Sequence, residues 1–259
     1  KIIDPAHPVS IAETVNLNKD YPYLRELPFD IWMPDHFAGI PLRDVYLARR
    51  EDFKESLATL DNRNKSIIPH LNIYNLAKDR VSCPPESLNE YPECAINRYP
   101  TKEEIRFMAY DFLLSGAKGL SFLCYRFNYD EGDPGDDVSF KNNPLQWRAI
   151  ASVARELKTM SPILTAPNSG LSIGVSPPNT EIGFISKTYQ DTVYLIATNP
   201  SPEEKEITFT FTLKQPISLV NVLHESRTIV PRQSRDGRKQ TYSFTDKFRD
   251  YAVHVYEIR

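Results

Sequence analysis

Two carboxylates stand where apolar, strand-like runs end. Glu13 lies near the close of "HPVSIAET", and Asp35 directly follows "FDIWMP" with His36 beside it. A pair of carboxyl groups can divide acid and base work, one kept protonated to give its proton to a leaving group and the other ionised as base or nucleophile. Other groups capable of polar contacts sit at comparable places. His70 and Asn72 belong to the run "IIPHLNIYN", Tyr125 and Arg126 end "GLSFLCYRF", and Trp32 precedes Asp35 by three positions. The acidic stretch "NYDEGDPGDD", with Asp130 and Glu131, is dense in hard oxygen ligands but lacks EF-hand spacing, so it reads as a solvated loop and no metal is expected.

Each of these residues has a plainer role open to it. Asp35 follows Pro34 and could cap the next segment. Glu13 could be a solvated charge, His70 a satisfied core histidine, and Tyr125 and Arg126 packing residues. Several other chemistries have no support: the chain contains no HExxH, no CxxC pair, no phosphate-binding GxxxxGK[ST], no GxGxxG and no GxSxG. No cofactor is expected.

The elements that must position these groups fall into two regions. From Lys1 to about Pro167, short apolar runs alternate with helical patterns, which argues for βα units around a parallel sheet. The strand-like runs are "HPVSIAET", "FDIWMPDHF", "KSIIPHLNIY" and "GLSFLCYRF". A helix is expected over "LRDVYLARREDFKESLATLDN" and another from Pro144 to Met160, with Asn143 as its N-cap. Four strands, each followed by a helix-like segment, make half of an eight-unit barrel.

The sharpest local signal is "RYPTKEEIRFMAYDFLLSGAKGLSFLCYRF". Thr101 and Glu104 form a capping box, Ile105, Met108, Ala109, Phe112 and Leu113 an apolar stripe, and Gly116 a left-handed stop. "LSFLCY" then reads as a strand buried on both faces.

From Asn168 onward the helical period disappears. "LSIGVS", "EIGFISK", "TVYLIATN", "EITFTFTL", "ISLVNVLH", "RTIVP", "TYSFTD" and "YAVHVYEI" alternate with turn clusters such as Asn199-Pro200-Ser201-Pro202 and Asp236-Gly237, the mark of an antiparallel sandwich. Between the two regions "SPILTAPNSG" is expected to be a short, stiff linker, giving domains over 1–167 and 168–259.

Bulk composition limits the partners. The 259 residues are 41% hydrophobic, enough for real cores, and 31 basic against 34 acidic residues give a formal charge of -3. Such a balance offers no field for nucleic acid and no polybasic segment for a membrane. No apolar run approaches the roughly 20 residues that span a bilayer. Cys83 and Cys94 flank one Pro-rich loop, as a disulfide or as two free thiols; a disulfide would point to an oxidising compartment. Cys124 sits in an apolar run. The sequon Asn64-Lys65-Ser66 is compatible with secretion. A chain that opens on "KIIDPAHPV" without methionine has the look of a processed or excised piece whose upstream part lies elsewhere.

Taken in order, "DPAHPV", "FDIWMPDHF", "SIIPHLNIY" and "PTKEEIRFMAYDFLLSGAKGLSF" resemble the second half, strands five to eight, of the TIM-type (β/α)8-barrel glycoside hydrolases and their hydrolase-like relatives. "VYLIATNPSPEEKEITFTF" and "SFTDKFRDYAVHVYEI" are similar to the β-sandwich that follows the barrel in many such enzymes. The likeness covers nearly the whole chain as a succession of patterns, with "GAKG" the most specific.

The resemblance implies an α/β half-barrel followed by an all-β antiparallel sandwich, acting on an extracellular or cell-surface oligo- or polysaccharide through paired carboxylates. Asp35 and Glu13 become the catalytic candidates. His36, His70, Asn72, Tyr125, Arg126 and Trp32 become sugar contacts, Trp32 by stacking on a pyranose face. Trp147, on a helix, is expected in the core. The seventh strand departs from the family pattern, since "IIPHLNIYN" carries no acid where many retaining members place a nucleophile. Strands one to four are missing and are expected from a separate polypeptide segment or a second copy. The other reading is a non-catalytic extracellular protein that keeps the scaffold for carbohydrate binding or assembly.

Overall fold

The computed structural model describes residues 8, 10–13, 30–34, 47, 50–55, 57–58, 66–72, 96, 98–123, 143–236 and 239–259. They belong to two compact units, Lys1–Ala154 and Arg155–Arg259.

Each of the four apolar runs of the first unit forms parallel sheet. β1 (Ser10–Glu13) pairs with β2 (Ile31–Pro34), and β2 with β3 (Ser66–Ile67), while β4 (His70–Asn72) pairs with β5 (Ser121–Leu123). β3 and β4 are parts of one extended run. Ile68 N donates to Trp32 O at 2.9 Å, and Ser121 N donates to Pro69 O at 3.0 Å. Pro69 has no N–H to give, which is where the ladder changes partner. The strand row therefore follows chain order: β1, β2, β3–β4, β5.

Along the third run Ile67, Pro69 and Leu71 are buried, while Ser66, Ile68 and His70 are half-buried, the alternation a pleated strand requires. β5 is half-buried at all three residues rather than enclosed on both faces as its apolar sequence suggested. Among the described residues it has β4 as its paired neighbour and stands at the margin of the row.

Helix α1 (Lys102–Leu114) carries the expected capping box. Thr101 Oγ1 accepts from Glu104 N at 3.1 Å, and the Glu104 carboxylate accepts from Thr101 N at 2.7 Å. Arg98 adds a fork onto the same carboxylate, both contacts at 2.7 Å, so one buried glutamate serves the cap and an ion pair together. The burial is wider than the sequence stripe, taking in Phe107, Tyr110 and Asp111 as well. Asp111 meets Arg50 Nη1 at 3.5 Å, and Phe112 packs edge-to-face on Phe53 with ring centres 5.1 Å apart; both partners come from the helical residues 50–55.

Gly116 follows at φ +111°, a conformation that demands glycine, and a Cβ there would also have to displace the Leu57 methyl. Thr101→Ala removes half of the capping box and is expected to destabilise the first unit by about 1 kcal/mol, seen as a lower thermal midpoint of the full chain.

Helix α2 (Pro144–Leu164) opens with Asn143 Oδ1 accepting from Gln146 N at 3.1 Å. It continues past the expected end at Met160, through Pro162. The proline withholds the N–H that would reach Lys158 O, and the Ser161 hydroxyl donates to that carbonyl instead, at 2.9 Å. The expected linker is thus half helix. Its remainder is stitched to the sandwich: Ser169 N donates to Ser186 O at 2.9 Å, and Thr188 N to Pro167 O at 3.0 Å.

The second unit is an antiparallel β-sandwich. One sheet has the order β11 (Arg227–Ile229), β10 (Val220–Val222), β14 (Val253–Ile258), β8 (Thr192–Thr198), β7 (Gly183–Tyr189). The other runs β12 (Arg232–Asp236), β13 (Lys239–Phe248), β9 (Lys205–Leu213), β6 (Ile173–Ser176). Their facing sides interleave Leu195, Ala197, Tyr256 and Ile258 with Ile207, Phe209, Phe211, Tyr242 and Phe244, all withdrawn from solvent. Phe244 and Tyr256, from opposite sheets, lie 4.8 Å apart by ring centre.

Eight of the nine strands fall in the segments the alternation marked. β12, "RQSRD", escapes because it is polar throughout and is held by pairing with β13 rather than by an apolar face.

Candidate functional site

In a parallel sheet every strand ends at the same edge, so the residues closing β1, β2, β4 and β5 define one rim. Glu13 is the last residue of β1 and is in register with Pro34, the last of β2; Asn72 closes β4 in register with Leu123 of β5. The backbone thus brings Glu13 and the Pro34 strand end onto neighbouring positions, with Asn72 at the same edge. Asp35 and His36 follow Pro34 in sequence, and Tyr125 and Arg126 follow Leu123. These four, with Cys83, Cys94, Cys124, Asp130 and Glu131, lie outside the described residues.

The two aromatic expectations are reversed. Trp32 is 1% exposed, pairs with the buried Ile67 and offers no open face for a sugar ring; Trp147, expected in the core, is 51% exposed on α2. The reason is periodicity: Trp32 shares the pleat face that packs inward, whereas Trp147 stands next to Gln146, which takes the inward position. His70 is half-buried within its strand, and both of its ring nitrogens lie below the solvent-accessible surface.

A second concentration of polar groups, which the sequence did not single out, closes one end of the sandwich. Arg227 of β11 forks onto Asp246 of β13, Nη1 to Oδ1 at 3.0 Å and Nη2 to Oδ2 at 2.7 Å, and its Nε donates to Glu225 at 2.7 Å. Tyr256 Oη donates to Asp246 at 2.8 Å. His254 places Nδ1 against Glu225 Oε1 and Nε2 3.2 Å from the Lys247 carbonyl.

Burial alone would raise the Glu225 carboxyl, but the hydrogen bond and charge of His254, then those of Arg227, hold it below the ordinary range. Burial, then Asp246, pushes the Tyr256 phenol well above its ordinary value. Arg227 is raised: its carboxylate partners outweigh the opposing effect of burial. Asp246 and Arg227 satisfy one another across the two sheets, so the cluster ties them together instead of facing a ligand. The only hint of it in the sequence was a histidine inside the apolar alternation "YAVHVYEI".

A smaller group on the five-stranded sheet is likewise closed on itself. Buried Glu257 accepts from Tyr194 Oη at 3.2 Å, Asn221 Nδ2 at 2.9 Å and Arg259 at 2.6 Å. Burial and the Glu257 charge raise the Tyr194 phenol. Among the described residues no set of His, Cys, Asp and Glu is placed to hold a metal, and no helix is long and apolar enough to cross a membrane.

No family model matches the sequence, and no curated protein does. Among solved structures, the chain aligns with an alpha-amylase from H. orenii at 11% identity and a TM-score of 0.45, covering 96% of this chain and 53% of that one. A maltogenic alpha-amylase from Thermotoga neapolitana aligns at 13% identity and 0.44, over 96% and 54%. An alpha-amylase from Geobacillus thermoleovorans, complexed with acarbose, aligns at 14% and 0.42, over 88% and 53%. The chain spans about half the length of these structures, which are alpha-amylase-family glycoside hydrolases.

Proposed function

We propose that this chain is the carboxyl-terminal half of a (β/α)8-barrel glycoside hydrolase with its trailing β-sandwich, acting on an extracellular oligo- or polysaccharide. In this reading Glu13 and Asp35 form the carboxylate pair, and His36, Asn72, Tyr125 and Arg126 contact sugar hydroxyls, while His70, with both ring nitrogens buried, belongs to the packing beneath them. A polypeptide segment supplying strands one to four, or a second copy, completes the barrel.

The observation that supports it best is the register of β1 with β2, which sets Glu13 beside Pro34 at the carboxyl edge of a parallel sheet. Working carboxylate pairs are separated by roughly 5–10 Å, so this reading requires the carboxylates of Glu13 and Asp35 to reach that spacing at the edge that the β1–β2 register defines. One of the two would protonate the glycosidic oxygen. The other would attack the anomeric carbon or activate water.

A second reading draws on the run Ser66–Asn72, which carries no acid, and on the burial of Trp32. It is a non-catalytic carbohydrate-binding or assembly protein on the same scaffold.

One experiment separates them: release of reducing sugar from a panel of α- and β-linked glycans by the full chain joined to its completing segment, with Asp35→Asn and Glu13→Gln. Loss of turnover in both variants with glycan binding retained supports the hydrolase. Glycan binding without turnover in the unmodified protein supports the second reading. Turnover unchanged in both variants removes the site assignment.

A further inference from the structure

The hairpin joining β10 and β11 turns through Leu223, His224, Glu225 and Ser226. Two of these four residues, His224 at φ 66° and Ser226 at φ 50°, occupy the left-handed region without being glycine. Such backbone persists where surrounding contacts over-determine it. The residue between them is Glu225, whose carboxylate is held by His254 and by Arg227.

We propose that this turn is an acid-released latch: ionised, Glu225 ties the β10–β11 hairpin to the body of the sandwich, and protonated, it lets that hairpin open while the remaining strands stay paired. Three features carry it. β11 is an edge strand of three residues with β10 as its pairing partner, so outside that ladder it is held by the packing of Ile229 and by the Glu225, Arg227 and Asp246 contacts. The carboxylate reaches both neighbours that matter, directly to His254 of β14 and through Arg227 to Asp246 of β13. The left-handed pair stores strain that the turn sheds when its anchor goes.

The groups facing Glu225 are Arg227 on its own hairpin, His254 and Tyr256 on β14, and Asp246 with the Lys247 carbonyl on β13; the Lys247 ammonium turns away to Glu204 at 3.8 Å. Since the folded environment lowers the Glu225 carboxyl, the latch is fully engaged above the ordinary glutamate range and is lost as pH falls through the lower folded value. Arg227 remains charged throughout, so with Glu225 neutral its guanidinium keeps Asp246 alone.

Amide hydrogen exchange on the full chain tests this, comparing residues 227–229 with β8 and β9 as pH is lowered from about 7 to about 3.5. Protection at 227–229 should fall about tenfold or more over that range while β8 and β9 hold theirs. Glu225→Gln should show the low protection already at neutral pH and lose the pH dependence. Ser226→Gly, which relieves the strain without touching the carboxylate, should restore protection at low pH. Parallel loss in all strands, an unaltered profile in Glu225→Gln, or no gain from Ser226→Gly would each overturn the latch.

Discussion

Phe209→Ala is expected to cost the sandwich about 3–5 kcal/mol, a fall of roughly 12–20 °C in its thermal midpoint. Phe209 is fully buried on β9, at the centre of the facing sheets. Its ring centre lies 5.4 Å from Phe244 and 6.2 Å from Phe248 on its own sheet, and 5.8 Å from Tyr256 and 6.3 Å from Phe184 on the other. Removing the ring takes away four aromatic neighbours at once. The close-packed neighbours relax only partially into the void, so the cavity term adds to the lost transfer energy.

Two companions calibrate the value. Phe209→Leu keeps most of the volume and should cost under about 1.5 kcal/mol. Phe184→Ala, at a position 40% exposed, should cost well under half of the Phe209 figure. Equal losses at Phe184 and Phe209 in chemical denaturation would show that the two sheets do not pack around this ring.

The difference between these two phenylalanines also shows how far sequence could lead. Period-two alternation in "EITFTFTL" places Phe209 and Phe211 on the inward face, and it locates eight strands of the sandwich correctly. It is silent on β12, which carries no apolar face, and on which end of the sandwich needs an ionic closure. Glu225, Arg227, Asp246 and His254 are spread over thirty positions, and only the antiparallel return of β13 and β14 brings them together.

In the first unit, capping chemistry fixed both ends of α1 because Thr101, Glu104 and Gly116 act on backbone groups within one turn. The burial of Trp32 was not legible. An aromatic residue two positions before a strand end faces inward or outward according to a register that the neighbouring strand decides. The Ser161–Leu164 turn of α2 was obscured for a different reason: Pro162 is a strong stop signal, and the Ser161 hydroxyl that answers the missing hydrogen bond does so through a local rotamer choice three residues along the same helix.

Asp246→Ala should be the most damaging polar substitution in the sandwich, at about 3 kcal/mol. The Asp246 side chain is 10% exposed and accepts from three groups, the Arg227 fork, the Tyr256 hydroxyl, whose residue is fully buried, and the exposed amide of Lys247 at 2.8 Å. Deleting it costs the first two most, since the exposed amide can turn to water. The guanidinium is 35% exposed and keeps its Glu225 contact at 2.7 Å, so solvent and that second carboxylate discount its part of the loss. The tyrosine hydroxyl has no such recourse and carries the larger part.

This division makes a prediction that a simple count of lost bonds does not. Tyr256→Phe in the Asp246→Ala background should recover about 1 kcal/mol, although the same change in the natural protein should cost about that much. Replacing Asp246 and Arg227 together by leucine and methionine should likewise fall well short of the sum of the single losses, because a pair removed whole leaves no buried charge behind. Strict additivity of Asp246→Ala and Tyr256→Phe in urea denaturation would mean that the phenol finds another acceptor. Asp246 would then act through Arg227 alone.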